Sequence, residues 1–278
     1  MHHQNETRVP VLDSNGLYVE PKIVWSSKRN LLRWLGILLA FGFFSLSWQL
    51  SEVDPVRLYE GLPRLFSWAA KAWPPQTNEI GVMLIRAAET VAIATVATTM
   101  ATLLAFPLSI LVSKNITPLK TISIPIRLVI NAFRGVDTVI FAILFVAAVG
   151  LGPFAGVLGM LIHSVGVIAK LNSEAIETMP SAPLDATAMT GASKSSVIVW
   201  GLFPSVFPSL ASVSLYVWEA NVRTSTILGI VGAGGIGIEI KAAIDLLDFS
   251  RLFTLTAIVL LMVTVIDQFS AWLRGRLV

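Results

Sequence analysis

The amino-acid sequence predicts an all-α integral membrane protein with about six transmembrane helices. Three observations carry this. Only 13% of the 278 residues are charged, about half the ~25% of a soluble globular domain. Hydrophobic residues reach 55% and mean hydropathy is +0.76, more apolar surface than a water-soluble fold of this size buries. The charges are also segregated: none occurs in residues 34–51, 90–113, 138–169 or 195–218. A helical span needs ~20 such residues.

Taken in order, residues 1–30 form a cytoplasmic N-terminal tail of mixed charge, weakly ordered around Pro10, Gly16 and Pro21. Residues 31–51 are the first transmembrane helix. Its apolar run starts late and no small-residue cleavage site follows, so it reads as an anchor rather than a leader. Residues 52–85 form an outer, periplasmic loop. There Arg57, Glu60, Arg64 and Lys71 interleave with Leu58, Leu62, Leu65 and Phe66, beside Trp68 and Trp73. That pattern suits a short amphipathic helix, either resting at the interface or packing over the bundle.

Residues 86–275 form the transmembrane core, with a second span over about 90–113. The next charge-free run, 138–169, is too long for one span and is broken by the Gly and Pro residues of 150–156. It predicts two helices, 127–149 and 153–176, joined as a hairpin. The fifth and sixth spans are 204–231 and 252–273.

Positive charge orients the chain. With the N-terminus inside, twelve cations fall inside (Arg8, Lys22, Lys28, Arg29, Arg33, Lys114, Lys120, Arg127, Lys170, Lys194, Arg274, Arg276). Five fall outside (Arg57, Arg64, Lys71, Lys241, Arg251). Both termini are therefore expected in the cytoplasm. The pI of 9.3 reflects this bias and no nucleic-acid footprint, since no basic stripe interleaved with aromatics occurs. The absence of cysteine excludes disulfides, a thiol nucleophile and Cys-ligated metals.

The cytoplasmic loop 178–203 carries a pattern a mere connector would not need. Ser181 is suited to cap a helix, Pro183 to its first turn, and Asp185 to its positive end. Ala186, Ala188 and Met189 favour helix and Gly191 ends it. The expectation is a helix of about two turns outside the membrane, with small side chains that let another protein approach.

Charges near or inside spans are the other candidates, because burying them costs about 2.5–3.5 kcal/mol each. Glu219 precedes Arg223 by four residues, the favourable order for a helical pair. Two roles are open: the pair fixes the fifth helix, or Arg223 offers positive potential to a passing anion. The same choice applies to Arg134 and Asp137 at the third span. His163, Lys170 and Glu174 share one helical face, turned to a pathway or a twin subunit; no Cys or second inward His supports a metal at His163. Gly232, Gly234, Gly235 and Gly237 lie in a G-x-G-x-x-G string. A dinucleotide site would need a βαβ unit there; an apolar span follows instead, and close packing or an outer gate fits better.

The string Asp185-Ala-Thr-Ala-Met-Thr-Gly191, with Pro204 thirteen residues after the glycine, resembles the EAA loop of binding-protein-dependent ABC importer permeases. Asp185 stands where Glu is usual, and Thr187 and Phe203 where Ala and Leu are typical. The resemblance covers roughly 80–275. The strings Phe141–Leu158, Ile162-His163, Asn221-Val-Arg223 and Gly229–Gly237 are similar to those of the phosphonate/phosphite permeases; the Gly-rich string is similar across methionine and related permeases too, and Phe141–Leu158 is the better discriminator.

This resemblance implies a type I ABC importer permease fold and a division of labour. Asp185, Ala186, Ala188, Gly191 and Pro204 would form the coupling loop. Arg134, Asp137, His163, Glu219, Asn221, Arg223 and the glycines would belong to the pathway or gate. The chain would be no enzyme and hold no cofactor. It carries no Walker motif, so ATP and Mg would be bound by two cytoplasmic ABC ATPase subunits. A second copy of the chain would complete the pathway in the bacterial inner membrane, and a periplasmic or lipid-anchored binding protein would deliver a phosphorus oxyanion. Rival readings are an ABC permease for another cargo such as methionine, and a secondary transporter. A membrane enzyme would need a clustered nucleophile, base or metal set, and none is visible.

Overall fold

A computed structural model describes residues 28–116 and 120–277. All but three residues of the expected cytoplasmic tail 1–30 lie outside them. No strand occurs among the described residues. Among the described residues, five helices are long and apolar enough to cross a bilayer, or six when a bent pair counts as one span. Packing divides the chain into residues up to Arg64 and residues from Leu65.

In the first unit, α1 (Lys28–Leu50) is a span in which no side chain from Asn30 to Leu50 is buried. Helix α2 (Pro55–Lys71), most of which lies in this unit, starts where Asp54 accepts from Val56 N at 2.9 Å. It also buries nothing, leaving Leu58, Tyr59, Leu65 and Phe66 exposed.

The second unit is built on α3 (Ile80–Val112) and α6 (Pro153–Thr178). At 1.5 Å per residue, the 33-residue α3 is about 50 Å long. It starts well before the expected second span and takes in Arg86 and Glu89, which neutralise each other at 2.7 Å. Its buried face is a stripe of small residues, Ala87, Ala94, Ala97, Ala101 and Ala105. Ala94, Ala97, Ala101 and Ala105 share buried clusters with Met160, Val165, Ile168 and Ala169 of α6, and their small size lets the two helices approach closely.

The expected third span, 127–149, is not one helix. It divides into α4 (Lys120–Gly135) and α5 (Thr138–Val149), bent by 90°. Asp137 causes the restart: its backbone is extended (φ −65°, ψ 147°) and its Oδ1 accepts the Val139 N–H at 2.9 Å, an N-cap. α5 then runs back along α6. A Cβ on Gly159 would lie 2.6 Å from the Ala142 nitrogen, so the hairpin closes only because that residue is glycine.

Where α3 ends and α6 approaches its own end, Arg127 ties three elements together. Its guanidinium donates to the Val112 carbonyl at the end of α3 and meets Glu177 of α6 at 3.2 Å. Glu177 also accepts the Lys114 backbone N–H at 2.8 Å. Carbonyls that end a helix without partners are thereby satisfied.

After α6 comes α7 (Ala182–Met189). Only the first part of the expected loop 178–203 is loop and isolated helix. From Lys194 the chain is helical again, through α8 (Lys194–Ser196), a π-helical turn (Val197–Leu202) and α9 (Phe203–Leu228). Past α9, the segment before the last span contains a further helix, α10 (Gly237–Asp245), followed by α11 (Phe249–Leu277). Arg251 joins Glu79 at 2.9 Å and Glu239 at 2.8 Å, fastening the starts of α3, α10 and α11 to one another.

Candidate functional site

Helix α7 is an exposed platform seated on the π-helical turn. Its inner face is Pro183, Leu184 and Thr187, with Leu184 packed against the buried cluster of Ile176, Leu202, Val206 and Leu210. The seat is Gly201, where a Cβ would come within 2.9 Å of Thr187 Oγ1. Asp185, Ala186, Ala188 and Gly191 face outward, Met189 is 88% exposed, and Pro204 is exposed in the first turn of α9. Gly191 takes φ +77° and its N–H closes on the Ala188 carbonyl at 3.0 Å. Nothing crowds it, so the glycine is there for its left-handed backbone. Ser181 does not cap with its side chain. Its backbone is already helical (φ −73°, ψ −20°), and its carbonyl accepts from Leu184 N and Asp185 N instead. A cavity of about 590 Å³ opens beside α7, lined in part by Asn115, Met179, Asp185 and Lys194.

The charges of the fifth span do pair, and with more partners than one helix supplies. Arg223 meets Glu219 at 2.9 Å and both oxygens of Asp267 at 3.1 Å, while Arg274 takes the second oxygen of Glu219 at 3.0 Å. Two cations and two anions thus join α9 to α11 with no net charge. Asn221 is buried beside them; its amide donates to Thr98 of α3 and Ser164 of α6, each at 2.8 Å. It holds three helices together and faces no open surface.

The glycine string makes a close-packed corner. Gly234 and Gly235 take φ +88° and +76°, with Pro153 and Thr90 where their side chains would be. Thr90 Oγ1 accepts the Ile236 N–H at 2.8 Å, and the Gly232 carbonyl accepts from Gly152 N at 2.9 Å. Gly237 is buried against Gly229 at the start of α10. A cavity of about 500 Å³, bordered by Arg86, Glu89, Gly232 and Lys241, adjoins this corner.

At the α4–α5 break, His163 Nδ1 lies 2.9 Å from the Val136 carbonyl oxygen. That carbonyl has lost its helical partner at the bend, and the histidine supplies one. Lys170 pairs with Glu174 at 3.0 Å on the same helix. No group of three metal-ligating side chains occurs among the described residues. Arg134 and Asp137 are both exposed at the break.

Residues 105–278 match the family described as binding-protein-dependent transport system inner membrane component. The chain belongs to that family. This permease is 46% identical over 85% of its length, and 84% of the relative's, to HtxC of Stutzerimonas stutzeri, whose name assigns it provisionally as a phosphite transport system permease protein. It is 34% identical to the phosphite transport system permease protein PtxC of the same organism, over 86% and 87% of the two chains. The methionine import system permease protein MetP of Bacillus subtilis is 29% identical over only 42% of this chain. In structure, the permease resembles a chain of the inward-facing MetNI methionine ABC transporter, with TM-score 0.65 and 18% identity over 73% of this chain and all of that one. At that identity the likeness establishes the fold alone, which is the type I ABC importer permease fold. The permease is thus a multi-pass transport subunit of the inner membrane.

Several structural partners in the permease escaped the sequence reading. Asp267 and Arg274 lie some fifty residues from Glu219 and Arg223, and no spacing rule links them. Thr98 and Ser164 look like ordinary small residues of a span. Thr187, by contrast, was visible as a departure from Ala in the loop signature, and its hydroxyl proves to bond the Pro183 carbonyl at 2.8 Å and abut Gly201.

Proposed function

We propose that this chain is the permease subunit of an ATP-driven importer for phosphite, phosphonate or a related phosphorus oxyanion. The observation that carries the cargo class is the 46% identity, over most of both chains, with a relative named for phosphite transport. The distant, partial match to a methionine permease speaks against that rival cargo. A secondary transporter is not in keeping with the family.

In this reading α7, with Asp185, Ala186, Ala188 and Gly191 outward, seats in a cytoplasmic ABC ATPase, which binds ATP and Mg. Two copies of the chain and two ATPases make the machine, with both termini in the cytoplasm and a binding protein docking outside. Because α7 is wedged on the turn that leads directly into α9, a push on α7 is delivered to the fifth span as a rigid-body motion. Affinity resides in the binding protein, since a pathway that held its cargo tightly would release it slowly.

The test is reconstitution of the chain with its ATPase and binding protein in liposomes, with ATP hydrolysis measured against phosphite, phosphonates, phosphate and methionine. Stimulation by a phosphorus oxyanion is expected. Stimulation by methionine alone would reassign the cargo, and failure to bind any ATPase would overturn the importer reading.

A further inference from the structure

The arginines from Ile80 onward divide sharply. Arg86, Arg127, Arg223, Arg251 and Arg274 are each held by a carboxylate, and Arg276 lies over the Trp272 ring at 4.0 Å. Arg134 alone has neither acid nor ring among the described residues, and its side chain is exposed. Asp137, three residues on, does not relieve it, because one of its oxygens is occupied capping α5 and no ion pair forms between the two.

The depth of Arg134 makes this informative. Its backbone is pressed against Gly166, where a Cβ would lie 2.6 Å from the Arg134 nitrogen and 2.9 Å from the Ile130 carbonyl oxygen. Gly166 is the fourteenth of the 26 residues of α6, at the middle of a complete span. An unpaired guanidinium at that level is strongly disfavoured in lipid and persists where it meets water or an anion. The 90° break also puts it where a helix is interrupted inside the membrane, with His163 holding the freed Val136 carbonyl in place. Broken spans of this kind line cavities rather than lipid.

We propose that Arg134 is the residue that contacts the phosphorus oxyanion in transit, and that Arg223 is not. This rests on the cargo class proposed above. The planar guanidinium suits two oxygens of a tetrahedral oxyanion at once. Arg223 is already neutralised by Glu219 and Asp267 and has no charge to lend.

The chain has no cysteine, so Arg134→Cys creates a unique thiol. The full transporter carrying this variant is reconstituted, and uptake of labelled phosphite and methylphosphonate is measured before and after treatment with charged thiosulfonate reagents. Arg134→Cys is expected to lower uptake at least ten-fold while complex assembly and basal ATP hydrolysis persist. The aminoethyl reagent, which restores a cation, is expected to recover at least a third of the uptake, and the sulfonatoethyl reagent none. Arg134→Lys should stay within about three-fold of wild type. Wild-type uptake in the unmodified Arg134→Cys variant, or recovery by the anionic reagent as well as the cationic one, would overturn the proposal. So would a thiol that neither reagent reaches in any nucleotide state. Should Arg134→Cys fail to assemble, Arg134→Gln is measured against Arg134→Lys, and equal uptake by the two would be equally fatal. If the wild type carries no phosphorus oxyanion, it is the cargo reading that has failed, and the labelling still reports whether position 134 faces water.

Discussion

Arg223 grips both oxygens of Asp267 at 3.1 Å, joining the fifth span to the last across 44 residues of sequence. The same guanidinium reaches Glu219, which in turn holds Arg274. A charge committed on two sides is a structural device. In a double-mutant cycle of Arg223→Ala and Asp267→Ala, thermal unfolding in detergent should give a coupling energy of about 1 kcal/mol, the scale of polar contacts between membrane helices. The apparent KM for cargo should not move. A coupling energy near zero would mean that the pair does not form in the membrane.

Gly191 separates backbone need from surface need. Gly191→Ala should cost the helix end about 1–2 kcal/mol, because φ +77° is disfavoured for a residue with a Cβ. Gly191→Asn should be nearly neutral, since Asn visits that region readily. Gly191→Glu should leave the fold intact and abolish co-purification of the ATPase. If the Glu variant binds ATPase normally, the glycine has no part in docking.

Gly159 and Gly275 make a contrasting pair. The first abuts the Ala142 backbone, and nothing lies within 4 Å of where a Cβ on the second would sit. Gly159→Val should destabilise by about 1–3 kcal/mol or more, since α5 must move to admit it. Gly275→Ala should leave the melting temperature unchanged. Comparable melting curves for the two variants would remove the close hairpin from the account.

His163→Phe removes the donor to the Val136 carbonyl and leaves that group unsatisfied inside the bundle. A loss of about 1–3 kcal/mol is expected. His163→Asn, which retains a donor, should recover part of it. Because the carbonyl can only accept, Nδ1 carries the proton, and nitrogen NMR of the labelled imidazole should report that tautomer at neutral pH. The opposite tautomer would separate the ring from the break.

Residues chosen by local rules were legible from the chain alone. Low charge and long apolar runs demanded a bilayer, because nothing else accommodates so much apolar surface. The short helix before Gly191 was readable because Pro183, Asp185 and Gly191 act within one or two turns of themselves, and the Glu219–Arg223 pair because it lies on one helical face. Local rules misled at Ser181, whose backbone is already helical, and over 127–149, where one apolar run became two helices.

What the tertiary structure decided involves residues remote in sequence. Asp137 can cap a helix locally, but the glycine at 166, pressed on Arg134, and the ring of His163 accommodate a right-angle break there. Asn221, Thr98 and Ser164 converge from three helices, and Asp267 and Arg274 settle which charges are spent. Composition and periodicity act along the chain and determined the class, most of the apolar spans and the short helix before Gly191. Which arginine of the bundle is left without an acid depends on distances between helices, and those exist only once the bundle has packed.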